Sequence, residues 1–109
     1  MKSAITLAGT MVLAVLLVAC GGSAESSEPV ATDQVAVKDN KFEAPVIEVT
    51  AGMTVTWTWD AGRPHNVVGD GWASEIQDNG TFQHTFTAPG TFDYRCTLHG
   101  GMTGRVIVR

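Results

Sequence analysis

The sequence predicts an all-β domain, a two-sheet sandwich or a small barrel of about seven short strands, on three observations. Residues 53–59 alternate Met53, Val55, Trp57 and Trp59 with Thr54, Thr56 and Thr58, the period-2 pattern of a strand with one buried face. Short β-rich runs recur along the chain, separated by turn residues, as in a layered β domain. No stretch of useful length keeps a helical period, and no internal repeat is present.

The elements follow in order. Residues 34–38 and 46–50 are the first β-rich runs, and 53–59 is the third. An apolar run begins at His65 and continues to Val68, after which residues 69–80 carry little strand signal. Residues 81–87 and 91–96 flank the turn Ala88-Pro89-Gly90, and residues 104–109 supply the last strand. Alternation puts Phe92, Tyr94 and Cys96 on one face of their strand, so the cysteine is expected to point inward. Trp57 and Trp59 are expected in the core, and Trp72 is expected to plug one end of the sandwich. His84 lies between Phe82 and Phe86 on one strand face and reads as a structural histidine.

The ends give the domain plan. Lys2 followed by an apolar stretch over residues 5–19 reads as an export signal, too short for a spanning helix of about 20 residues. Its end, Leu17-Val18-Ala19-Cys20, resembles a bacterial lipobox, which makes Cys20 the lipidation site. Residues 1–19 are thus expected to be a lipoprotein signal peptide, 20–33 an acylated cysteine with a flexible linker rich in Gly, Ser and Glu, and 34–109 the folded domain. The expected location is extracytoplasmic, with the lipid anchoring the protein to a membrane at the periplasmic face or cell surface. A net charge of −4 gives no reason to expect nucleic-acid binding and favours positively charged partners in docking.

Cysteine usage narrows the chemistry. With Cys20 acylated, Cys96 has no partner for an intramolecular disulfide, and an exported thiol is liable to oxidation unless something occupies it. Cys96-Thr97-Leu98-His99-Gly100-Gly101-Met102 places a thiol, an imidazole and a thioether within seven residues at the end of a strand. Soft sulfur combined with nitrogen suits copper, which must be held in two oxidation states. Methionine is not among the usual zinc ligands, and haem c or an iron–sulfur cluster would need more cysteines. A second imidazole is expected from His65 in Arg63-Pro64-His65-Asn66-Val67-Val68.

These motifs resemble a known family. Pro64-His65-Asn66-Val67-Val68 is similar to plastocyanins, and Tyr94-x-Cys96-Thr97-x-His99-x-x-Met102 is similar to the compact ligand loop of amicyanin. Residues 39–57, with Phe42, Pro45, Gly52 and Val55, resemble the family's opening strands, so the likeness to small blue copper proteins, the cupredoxins, covers residues 34–109. The resemblance implies a Greek-key β-sandwich of seven to eight strands and one type 1 copper. It implies His65, Cys96 and His99 as a trigonal ligand set, Met102 as a long axial ligand, and Asn66 as a hydrogen-bonding tie between the two ligand loops.

The activity so implied is outer-sphere, one-electron transfer between redox proteins of an electron-transport chain, through the edge of His99. It is not enzymatic and takes no small-molecule substrate. Leu98 stands where the family usually has proline, and Gly100-Gly101 where amicyanin has a proline and a bulky apolar residue. The alternatives are an extracytoplasmic copper carrier or buffer, and a metal-free immunoglobulin-like binding module. The second would need a partner cysteine near the start of the domain. A thiol hydrolase built on Cys96 and His65 would need a substrate cleft in a very small domain.

Overall fold

The computed structural model describes residues 28–109. The readings of a signal peptide and of lipidation at Cys20 lie outside the described residues. The described chain is all β with no helix. Its strands are β1 (Val30–Ala31), β2 (Gln34–Lys38), β3 (Lys41–Glu43), β4 (Val46–Val49), β5 (Thr54–Trp59), β6 (Val68–Gly69), β7 (Trp72–Ala73), β8 (Thr81–Thr85), β9 (Gly90–Arg95) and β10 (Thr103–Val108).

They form a sandwich of two sheets, one ordered β1-β4-β10-β9-β6-β7 and the other β3-β2-β5-β8. Pairing is parallel for β1 with β4, β4 with β10 and β2 with β5, and antiparallel elsewhere. Three of the ten strands have only two residues, too few to show a period, and this is why the count exceeds the seven or eight expected. One of these, β1, lies within residues 20–33 and pairs with β4.

The core follows the alternation. Val35 and Val37 of β2, Val55, Trp57 and Trp59 of β5, and Val106 and Val108 of β10 are all buried between the sheets. Trp57 is fully buried, edge-on to Tyr94 with centroids 5.3 Å apart. Removing about 200 Å² of tryptophan surface from water stabilises the fold by ~5 kcal/mol before entropy is counted.

Met53 is a correction to the expected inner face. It is 37% exposed, because the chain turns at Gly52 (φ +97°) just before β5 begins. Its sulfur instead accepts the Thr50 N–H at 3.3 Å.

Residues 69–80, expected to be irregular, contain β7 and an antiparallel bridge between His65 and Gln77. Trp72 does not cap an end of the sandwich. β7 and β8 are edge strands of opposite sheets, and the half-buried Trp72 ring fills the gap between them. It stacks on His84 with centroids 4.7 Å apart and 13° between planes, and lies near Trp57, Phe82, Phe86 and Tyr94. A side chain at Gly69 would collide with this indole, so the close approach requires glycine there. His84, expected to be structural, also packs edge-on against Phe86, and its partial burial holds its pKa below the ordinary 6.5.

Candidate metal centre

One pairing register brings the two expected ligand segments together. Val68 of β6 is opposite Arg95 of β9, so the residues preceding β6 lie beside the residue that follows β9. His65 is held by three hydrogen bonds at its two backbone groups: its N–H donates to Gln77 O (3.0 Å), and its carbonyl accepts from Gln77 N–H and from the Trp59 indole N–H, both 3.0 Å. Cys96 leaves β9 with its N–H bonded to Met102 O at 2.9 Å, and Met102 N–H reaches back to His99 O at 3.4 Å. The loop 96–102 is therefore closed on itself. Gly101 (φ +82°) supplies the left-handed residue that turns the chain back towards β10.

Three donor atoms converge. His65 Nδ1 is 3.1 Å from His99 Nδ1 and 3.9 Å from Cys96 Sγ, and His99 Nδ1 is 3.7 Å from the same sulfur. The sides of that triangle place its centre about 2.1 Å from each corner, within the range of metal–nitrogen and metal–sulfur bonds. His65, Cys96 and His99 are the cluster among the described residues that could hold a metal ion in this way. His65 is 0% exposed, Cys96 3% and Met102 1%, while His99 is half-buried and next to the exposed Leu98.

Asn66 ties the two ligand segments together. Its amide Oδ1 accepts the Thr97 N–H at 2.8 Å and its Nδ2 donates to Thr97 Oγ1 at 2.9 Å, so both ends of a buried amide are satisfied by the other loop. The Leu98 N–H donates to Cys96 Sγ at 3.4 Å. Tyr94, beneath the site, is buried, and burial pushes its phenol far above the usual range, so the ring is neutral packing.

Several contacts escaped sequence reasoning. Gln77 and Trp59 act through hydrogen bonds to the His65 backbone that no local motif announces. Asp39, whose Oδ1 lies 3.0 Å from His65 Nε2, sits in a turn 26 residues upstream. Its only local signal is the Asp39-Asn40 pair, which reads as turn chemistry.

A cysteine sulfur and two imidazoles, with the buried Met102 bonded through its backbone to Cys96 and His99, make a soft, nitrogen-containing set suited to copper. Residues 30–109 match the family model described as copper binding proteins, plastocyanin/azurin family. The chain belongs to that family. Amicyanin-alpha of Methylorubrum extorquens is 38% identical over 88 residues, which covers 73% of this chain and 74% of that protein. Amicyanin of Paracoccus denitrificans is 37% identical over 76 residues, covering 62% of this chain and 58% of that protein. Among solved structures, a novel purple cupredoxin from Nitrosopumilus maritimus superposes with a TM-score of 0.66 at 25% identity, covering 70% of this chain and 98% of the other. This cupredoxin therefore combines its family's fold with a donor set that fits one type 1 copper.

Proposed function

We propose that this cupredoxin is a one-electron carrier whose copper would be held by His65, Cys96 and His99, with Met102 as a weaker fourth donor. The observation that supports this reading is the triangle of Nδ1, Nδ1 and Sγ, already spaced for a metal and fixed by backbone hydrogen bonds. Bound copper would supply a Cu(II)/Cu(I) couple. His65 and Cys96 exclude water from the inner side of the site, and Asn66 keeps the two segments from separating. Ligands that do not move between oxidation states favour fast exchange. The half-buried His99 offers the face through which a redox protein would be met.

A carrier also accounts for where the open surface lies. A groove of about 650 Å³ is lined by Pro45, Asp93, Arg95, Thr103 and their neighbours, and by none of the four donors.

The decisive experiment is a visible spectrum of the copper-loaded protein. An intense thiolate-to-Cu(II) band, lost on reduction and in Cys96→Ser, is expected; its absence from the wild type refutes the assignment. Copper retained through repeated redox cycles in the presence of a Cu(I) chelator is expected of an electron carrier. Release on reduction would favour copper delivery instead.

We further propose that Cys20 is acylated and tethers the domain outside the cytoplasm, near membrane redox proteins. Support comes from the lipobox-like Leu17-Val18-Ala19-Cys20 and from Cys96 being a free, buried thiol. Cys20→Ala is expected to release the protein from membranes, and full retention of the variant would overturn the tether.

A further inference from the structure

Asp39 reaches the donor cluster from outside both ligand segments. It stands in the tight turn between β2 and β3, next to Asn40 at φ +68°. Its carboxylate gathers three N–H groups from one short stretch of chain. Oδ2 accepts from Gly62 N–H at 3.0 Å, and Oδ1 accepts from Arg63 N–H at 3.0 Å and from His65 Nε2 at 3.0 Å. The loop leading into His65 is thus folded around a single carboxylate.

The chemistry of that contact sets the state of the imidazole. An ionised carboxylate only accepts hydrogen bonds, so the proton shared with Asp39 belongs to His65 Nε2. With Nε2 protonated, the lone pair of a neutral imidazole is on Nδ1, the atom that faces His99 and Cys96. With Asp39 in place His65 is fully buried, so the carboxylate and not water is the partner of Nε2.

We propose that Asp39 is the positioning residue of this site: its carboxylate fixes the tautomer and ring orientation of His65 and sets a negative charge behind that ligand. The charge favours the more positive, oxidised metal, so Asp39 lowers the reduction potential. This rests on the copper reading above for its redox part only. The tautomer is a property of the metal-free chain. Outer partners of this kind raise ligand basicity, and their loss typically weakens metal binding about 10–100-fold. The Asp39 side chain is 44% exposed, so the effect belongs at the low end of that range.

The test uses the full chain, wild type beside Asp39→Asn and Asp39→Ala. In the metal-free protein near neutral pH, long-range ¹H–¹⁵N spectra of the imidazoles should show wild-type His65 protonated at Nε2, with slow solvent exchange of that proton. Asp39→Ala should give mixed tautomers or fast exchange. In the copper-loaded protein, Asp39→Asn keeps an acceptor oxygen and loses the charge. Its preference for Cu(II) over Cu(I) should fall about threefold to tenfold, the upper figure being ~59 mV for one electron.

A proton on Nδ1 of wild-type His65 overturns the proposal without needing any variant to fold. So does an unchanged potential in a folded, blue Asp39→Asn protein, since a mere clamp on Gly62 and Arg63 would change melting and leave the potential alone. Failure of the wild type to show the thiolate band defeats the copper reading instead, and the tautomer still decides the role of Asp39.

Discussion

Replacing Leu98 with proline tests how the loop controls the sulfur. The Leu98 N–H donates to Cys96 Sγ at 3.4 Å, and its side chain is 45% exposed. Proline removes the N–H, and the side chain it replaces is exposed enough for the packing cost to be small. Reduction adds an electron to the metal–thiolate unit, so a donor on the sulfur holds the reduced state more tightly than the oxidised one. A neutral hydrogen bond contributes a net 0.5–1.5 kcal/mol, and sulfur at this distance is a weak acceptor, so ~0.5–1 kcal/mol of difference between the two states is expected. With ~59 mV for a tenfold change, that lowers the potential of Leu98→Pro by about 20–40 mV. Cyclic voltammetry of the copper-loaded protein reads it directly, with Leu98→Ala as the control that keeps the N–H and truncates the side chain. Equal potentials in the two variants, or a higher one in Leu98→Pro, would show that the N–H does not bear on the sulfur.

Three further outcomes are expected. Asn66→Ala breaks both bonds to Thr97, which should remove about 2 kcal/mol from the metal-free domain. For a domain of this size that is a melting-point loss of about 8–15 °C; a change under a quarter of that would mean the tie is not structural. Gly104→Ala drives a Cβ into the buried Tyr94 ring, and chemical denaturation should register a loss of about 1–3 kcal/mol. His84 has a folded pKa below 6.5, so the unfolded chain takes up its proton first; its stabilisation is complete above that value and is lost as pH falls through it. The stability of His84→Gln should accordingly fall less steeply than that of the wild type between pH 7 and 5.

Much of the fold was legible because its central strands bury one face each. Val55, Trp57 and Trp59 show their period in any window, as do Phe92, Tyr94 and Cys96. The donors were legible for a different reason: sulfur and imidazole packed into a short loop have few other uses, and His65 carries its own short motif. What could not be read is what depends on register across the sandwich. Trp72 closes the β7–β8 gap only because those strands are the edges of opposite sheets, and nothing near it in sequence says so. Asp39 looks like turn chemistry until β2 pairs with β5 and carries its turn to the loop before His65.

The paired glycines take on a different meaning once the loop is seen closed. Gly100 and Gly101 would each admit a Cβ without any contact within 4 Å, so neither is there to let another group approach. Gly101 is needed for its left-handed backbone, which bends the chain so that Met102 O can meet Cys96 N–H. Flexibility at that point is spent on closing a ring of backbone bonds, and the loop it leaves is anchored at both ends. Rigidity in the site is therefore graded. His65 is fixed by three backbone bonds and buried completely, Cys96 by its strand and by Met102, and His99 stands at the half-buried tip beside Leu98. An electron carrier has use for that gradient, since the inner donors hold the metal geometry constant while the outermost one meets the partner.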